Sequence, residues 1–175
     1  MVFQAPNCPL PPPDITVQDA QFIYSVNFEG RPETYNEEGN RYFNLLIPDN
    51  ILEQVQADNW NISWTKPKDP DEQPRAFLKV HVGFKYRPPF VSVWEDGKET
   101  ILGVEPNPNG PDHDTVKVVD KLTFDKVDVV VRGRAWENKR GECGIKAWLK
   151  TFVGVVESDD IRRKYAAMRE TADEN

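Results

Sequence analysis

Residues 127–156 read VDVVVRGRAWENKRGECGIKAWLKTFVGVV. β-Branched and aromatic residues alternate with others on both sides of Asn138-Lys139-Arg140-Gly141-Glu142, the pattern of two long strands joined as a hairpin. Successive side chains on a strand point to opposite faces, so the two faces can be read apart. Val127, Val129, Val131, Gly133 and Ala135, with Ile145, Ala147, Leu149, Val153 and Val155, make a core face. The other face carries Arg132, Arg134 and Trp136, then Lys146, Trp148, Lys150 and Phe152. A turn centred on Arg140 sets Arg134 opposite Lys146 and Arg132 opposite Trp148. Like charges opposed across a sheet repel, so this face is best explained by an anion resting on it, with bases on the indoles and phosphates on the cations. The alternative is a solvated face on which Lys and Arg stems cover the two tryptophans.

One other strand repeats the pattern. In RAFLKVHVGFKYR, residues 75–87, Ala76, Leu78, Val80, Val82, Phe84 and Tyr86 suit a core. Opposite them stand Arg75, Phe77, Lys79, His81, Gly83, Lys85 and Arg87, with no acid among them. A solvated face normally mixes both signs, so two strands with basic, aromatic outer faces favour an anionic polymer. His81 alone carries little weight, because a lone strand histidine is more often structural.

The chain has 175 residues, the size of one domain with a substantial core. Its net charge is −7, which at first argues against nucleic acid. Setting aside the eight basic residues of the two outer faces, however, leaves 14 basic against 29 acidic ones. An acidic body with a basic stripe disfavours promiscuous attraction to duplex DNA. The apolar runs are too short to cross a bilayer, so no membrane is expected. The beginning MVFQAPNCPLPPP lacks a signal-peptide pattern. Nothing in the spacing pairs Cys8 with Cys143, and with His81 and His113 isolated there is no zinc pattern. Free thiols in a cytoplasmic protein, with no cofactor and no metal, are the expectation.

Three segments emerge: a Pro-rich leader at 1–13, a β-domain at 14–157, and a C-terminal helix with a short acidic tail at 158–175. Within the β-domain, 15–28 reads as a strand with Phe22, Tyr24, Val26 and Phe28 on one face. Residues 41–47 form another strand, stopped by Pro48. A short helix follows, with Asn50 and Glu53 as its capping box. Trp60, Ile62 and Trp64 then alternate toward the core. Residues 103–114 read as a flexible loop, whose Asp112-His113-Asp114 is better explained as loop chemistry than as metal ligands. Residues 115–122 suit a short helix or a strand. Ser158-Asp159-Asp160 opens the terminal helix.

Four segments carry a resemblance in their order along the chain. They are Arg41-Tyr42-Phe43-Asn44-Leu45-Leu46-Ile47-Pro48, Trp60-Asn61-Ile62-Ser63-Trp64 with Lys66-Pro67, Ala76-Phe77-Leu78-Lys79-Val80, and Gly144-Ile145-Lys146-Ala147-Trp148-Leu149-Lys150. This series, covering most of the chain, resembles the single-stranded DNA-binding proteins of tailed bacteriophages, distantly those of the T7 type. The resemblance implies a mainly β, partly open Greek-key barrel of the OB type, here with a short internal helix and a C-terminal one. It implies sequence-independent binding of single-stranded DNA in phage replication, recombination or repair, in the cytoplasm of the bacterial host, and no enzymatic activity. Phe77, Trp136, Trp148 and Phe152 are then the stacking candidates. Arg75, Lys79, Lys85, Arg87, Arg132, Arg134, Lys146 and Lys150 are the phosphate candidates. The family's acidic tail contacts phage or host replication proteins, but here Glu170-Thr171-Ala172-Asp173-Glu174-Asn175 is short and lacks a terminal aromatic residue.

Rival readings remain at this point. A carbohydrate-binding β-sandwich also displays tryptophans, but sugar sites favour carboxylates and amides over uninterrupted cations. A structural or host-takeover phage domain would bind protein and need no groove. An enzyme has least support, since no nucleophile–base pair and no P-loop stands in recognisable context.

Overall fold

The computed structural model describes residues 8–107, 110–157, 168 and 169. The expected helix and tail at 158–175 lie, those two residues apart, outside the described residues. The strands are β1 (Ile15–Val17), β2 (Phe22–Asn27), β3 (Arg41–Leu46), β4 (Ile62–Trp64), β5 (Ala76–Val82), β6 (Phe90–Glu95) and β7 (Lys98–Leu102), followed by β8 (Glu105–Asn107), β9 (Gly110–Asp112), β10 (Phe124–Glu137) and β11 (Cys143–Val156). Helix α1 (Asp49–Ala57) separates β3 from β4, and a 3-10 helix (His113–Lys121) leads into β10.

The β10–β11 hairpin forms in the expected register: Arg134 faces Lys146 and Arg132 faces Trp148. Its turn is held by the Asn138 side-chain oxygen, which accepts the backbone N–H groups of Arg140 and Glu142. Gly141, at φ +80°, takes the left-handed conformation that a residue without Cβ enters cheaply.

Around this hairpin the main sheet runs β1-β10-β11-β5-β3-β2, with β4 beside β5, and β6 and β7 continuing from β11. All its ladders are antiparallel except those of β11 with β5 and with β6. The two ends of the path, β1 and β2, are consecutive in the chain. Ala20 donates to the Val127 carbonyl on one side, and Leu46 donates to the Gln21 carbonyl on the other. The sheet therefore curls back toward itself without closing, which is the partly open OB-type barrel that was expected.

Its interior is aromatic. Phe152 is 1% exposed and sits among Phe22, Phe28, Phe43 and Phe124, with ring centroids 5.3–6.3 Å from its own. Val80, Val91, Val131 and Ile145 complete the wall.

Phe152 thereby corrects its placement as an outward stacking residue. Val130 pairs with Thr151 but Val131 with Leu149, so Lys150 is the extra residue of a β-bulge. One inserted residue reverses the alternation beyond it. Phe152 turns inward, while Val153 and Val155, expected inside, turn outward.

A second irregularity, of two extra residues, expels one side chain of β2 without reversing the alternation. Between the Phe22–Leu45 and Val26–Phe43 pairs the register shifts, and Tyr24 adopts φ +57°. Phe22, Val26 and Phe28 pack on the core, whereas Tyr24 is 64% exposed. Similarly, Trp60 is buried as expected, but Trp64, at the end of short β4, is 46% exposed. Ala135 and Tyr86, both expected inside, are also exposed.

Other expectations are corrected by specific contacts. Cys8 and Cys143 are not free thiols: they form a disulfide with their Cα atoms 5.7 Å apart, fastening residues 8–14 to the hairpin end, where Pro12 lies near Gly133. Helix α1 begins after Pro48 with no side-chain cap bond, so Asn50 and Glu53 form no capping box. Within 103–114 the backbone makes the small β8–β9 hairpin. Residues 113–121 form the 3-10 helix, where the sequence left helix and strand open. There Asp114 pairs with Arg41 and the His113 ring stacks on Phe84, which accounts for both side chains structurally.

Candidate nucleic-acid interface

Four strands present one continuous outer face. Reading across it, Tyr42 on β3 pairs with His81 on β5, His81 with Trp148 on β11, and Trp148 with Arg132 on β10. A neighbouring row carries Arg134 opposite Lys146, and on the other side Asn44 faces Lys79. Phe77 pairs with Leu46 one step further along β5. The alternation of β5, β10 and β11 thus converges on one patch, because β5 and β11 run parallel at its centre.

Trp148 is the middle of the patch. A Cβ on Gly83 would come within 2.7 Å of the Trp148 ring, so the six-membered ring of the indole packs directly against the glycine. The Lys146 ammonium stands 5.2 Å from the ring centroid of Trp148, a cation–π distance, and the His81 ring lies 5.4 Å away on another side. Among the described residues, the Trp148 indole N–H is buried without an acceptor. Packing on Gly83 and Lys146, rather than a hydrogen bond, therefore fixes the ring.

Trp136 is held differently. Its N–H donates to the Asn61 side-chain oxygen at 3.0 Å, and the indole passes over Gly144, where any Cβ would meet both groups. The tryptophan closes the patch toward the hairpin turn. At the opposite end Phe77 and Tyr24 meet edge-to-face at 5.5 Å. The β2 irregularity that expels Tyr24 from the core thus adds an exposed ring to this surface.

The cations are crowded, and among the described residues Lys79, Arg132, Arg134 and Lys146 enter no ion pair. Lys146 has its pKa lowered by partial burial and by Lys79 and Arg134. His81 is pushed down to about 4, first by burial and then by Lys146 and Lys79. Lys79 also sits 4.3 Å from the Tyr42 ring centroid. Glu33 borders the patch and accepts bonds from the Tyr42 hydroxyl and the Asn27 amide. The Tyr42 hydrogen bond is the main reason its carboxyl titrates below the usual range. A positive potential whose own members suppress one another's protonation is a site prepared for anions.

Not every expected residue joins this patch. Strand β5 ends at Val82, so Lys85 and Arg87 project from the exposed run 85–88 beyond it, with the Lys85 ammonium 5.4 Å from the Tyr86 ring centroid. Arg75 lies just before β5, its backbone N–H held by the Thr65 hydroxyl. Lys150, the bulged residue, is paired with Asp14 at 2.7 Å. The contiguous set is Lys79, Arg132, Arg134 and Lys146, with Phe77, Trp136 and Trp148. Tyr24 and His81, which the sequence reading left out of the site, belong to the surface too, and Tyr42 lies buried in the same face beside Lys79. For His81 the signal was available, since it lies in the same acid-free run as Phe77 and Lys79.

An OB-type barrel with a basic face studded with aromatic rings is the build of a single-strand-binding module. Residues 8–175 match the family model described as "Putative phage ssDNA-binding domain", and the chain belongs to this family of single-stranded DNA-binding, non-enzymatic phage proteins. Among solved structures, it is similar to the single-stranded DNA-binding protein from bacteriophage Enc34 in complex with ssDNA, at 15% identity and a TM-score of 0.50, over 89% of this chain and 98% of that one. A C-terminal truncation of the Enc34 protein matches at 16% identity and TM-score 0.50, over 83% and 87% of the two chains. The gp2.5 single-stranded DNA-binding protein encoded by bacteriophage T7 matches at 14% identity and TM-score 0.37, over 84% and 88%. No curated protein matches the sequence.

Proposed function

We propose that this protein coats single-stranded DNA, without regard to base sequence, during replication, recombination or repair of a phage genome in the bacterial cytoplasm. Bases stack on Trp148 and Phe77, with Trp136 at the hairpin end. Phosphates meet Lys79, Lys146, Arg132 and Arg134, and Arg75, Lys85 and Arg87 extend the positive field beyond the patch. Lys150 contributes only if its bond to Asp14 opens. Phage or host replication proteins are the proposed partners of the acidic residues Glu170, Asp173 and Glu174. The observation that carries the proposal is the row Tyr42–His81–Trp148–Arg132 on a curved sheet, in which His81, Trp148 and Arg132 are partly exposed and Lys79, Lys146 and Arg134 stand beside them.

A tryptophan-fluorescence titration with oligo-dT and a matched duplex, at two salt concentrations, tests it. The expected result is deep quenching by oligo-dT, a weak duplex response and loss of affinity with salt. Absence of quenching by oligo-dT overturns it. In that case the exposed apolar side chains Phe90, Trp94, Ile101 and Val155, on the outward side of β6, β7 and β11, favour a protein-interaction domain instead.

A further inference from the structure

His81 occupies the centre of the outer face, where the strand ladders of β3, β5 and β11 meet. Its surroundings come from four elements. Tyr42 faces it from β3, with the Glu33 carboxylate bonded to the far side of that phenol. Lys79 lies two residues away on its own strand. Lys146 and Trp148 face it from β11, and Arg132 and Arg134 follow on β10. The imidazole ring lies tilted against the Trp148 indole. None of these groups except Glu33 is negative, and Glu33 is engaged by Tyr42 and Asn27.

This arrangement makes the ring's charge conditional. In the free protein, burial and the neighbouring ammonium groups keep the imidazole neutral through the physiological range. A phosphate seated between Lys79 and Lys146 cancels the repulsion that comes from those cations. It also supplies the opposite charge that an imidazolium needs within a few ångströms. We propose that His81 is a DNA-contacting residue that takes up a proton as single-stranded DNA binds, so that affinity rises as pH falls. The inference rests on the proposed binding face and adds to it a linked proton and the residue that holds it.

The sign follows from linkage. If the complex binds more protons than the free protein, lowering the pH favours the complex, with a limit of tenfold in affinity per pH unit for one proton. If the attraction of the phosphate offsets the burial as well as the cations and brings the ring to its ordinary value of about 6.5, affinity rises by about tenfold between pH 7.5 and 5.5. Oligo-dT is the suitable probe, because thymine does not titrate in that interval.

The test measures oligo-dT affinity at fixed ionic strength from pH 7.5 to 5.5 for the native chain and for His81→Gln. It is paired with NMR titration of the histidine ring protons, free and bound. His81 and His113 are the only histidines in the chain, and His113, stacked on Phe84, serves as an internal reference. The expected result is a rising affinity in the native chain, a flattened profile in His81→Gln, and a His81 resonance whose midpoint moves up on binding. Binding with the same pH profile in both chains, or an unmoved His81 midpoint, overturns the proton linkage and leaves the binding face standing. No binding at any pH overturns the face itself.

Discussion

Trp148 and Phe152 are four residues apart and both aromatic, yet the bulge at Lys150 gives them opposite fates. Trp148→Ala removes a stacking surface that covers Gly83, and loses about 1–3 kcal/mol of single-strand affinity, or roughly 5- to 150-fold. Gly83→Ala is the subtler test, because its new methyl group would stand 2.7 Å from the same indole and push the ring out of place. Its affinity loss is expected in the same direction and smaller. Both are read by oligo-dT titration beside a urea melt, and an unchanged affinity in Trp148→Ala would place the stacking elsewhere. His81 also sets a stability trend. Its lowered pKa means that the unfolded chain binds a proton the free folded chain refuses. Stability is therefore full above the unfolded value near 6.5 and declines as pH falls toward 4. The His81→Gln melts should lose that decline.

At the scale of elements, a single inserted residue decides which half of β11 faces the core. Phe152→Ala empties a site ringed by four phenylalanines and should cost about 3–5 kcal/mol of folding stability. The fraction that remains folded should still bind oligo-dT like the parent. A loss of binding without a loss of stability would return Phe152 to the outer face. The same bulge explains how far the sequence could be read. Alternation correctly separated Val127, Val129 and Val131 from Arg132 and Arg134, and the Asn138–Glu142 turn pinned the hairpin register. Alternation carries no mark of an extra residue, so everything after Lys150 was assigned to the wrong face. Tyr24 was placed inside because alternation also carries no mark of the two extra residues between Phe22 and Val26, where Tyr24 takes φ +57°. The Cys8–Cys143 bond was equally invisible, since the two residues are 135 apart and only the folded barrel brings them together.

Over the whole molecule, of net charge −7, the charge is segregated: an acidic body carries a cluster of cations on one curved face. Eight basic residues were candidates for phosphate, but the fold gathers only Lys79, Arg132, Arg134 and Lys146 into a contiguous set. Lys150 is neutralised by Asp14, and Arg75, Lys85 and Arg87 stand off on connections. Each phosphate neutralised on a single strand contributes about −0.7 to the slope of log affinity against log salt. Four contacts give a slope of about −3, and engagement of all eight would give roughly −5 to −6. Lys146→Ala should flatten the slope by about 0.7, whereas Trp148→Ala should lower affinity and leave the slope unchanged. Oligo-dT titrations across a salt series in the three chains separate these cases. A native slope near −5 would mean that the strand runs on past Trp148 along the 83–89 connection. A slope near −3 would confine it to the four-strand face, where the parallel pairing of β5 with β11 brings the cations together.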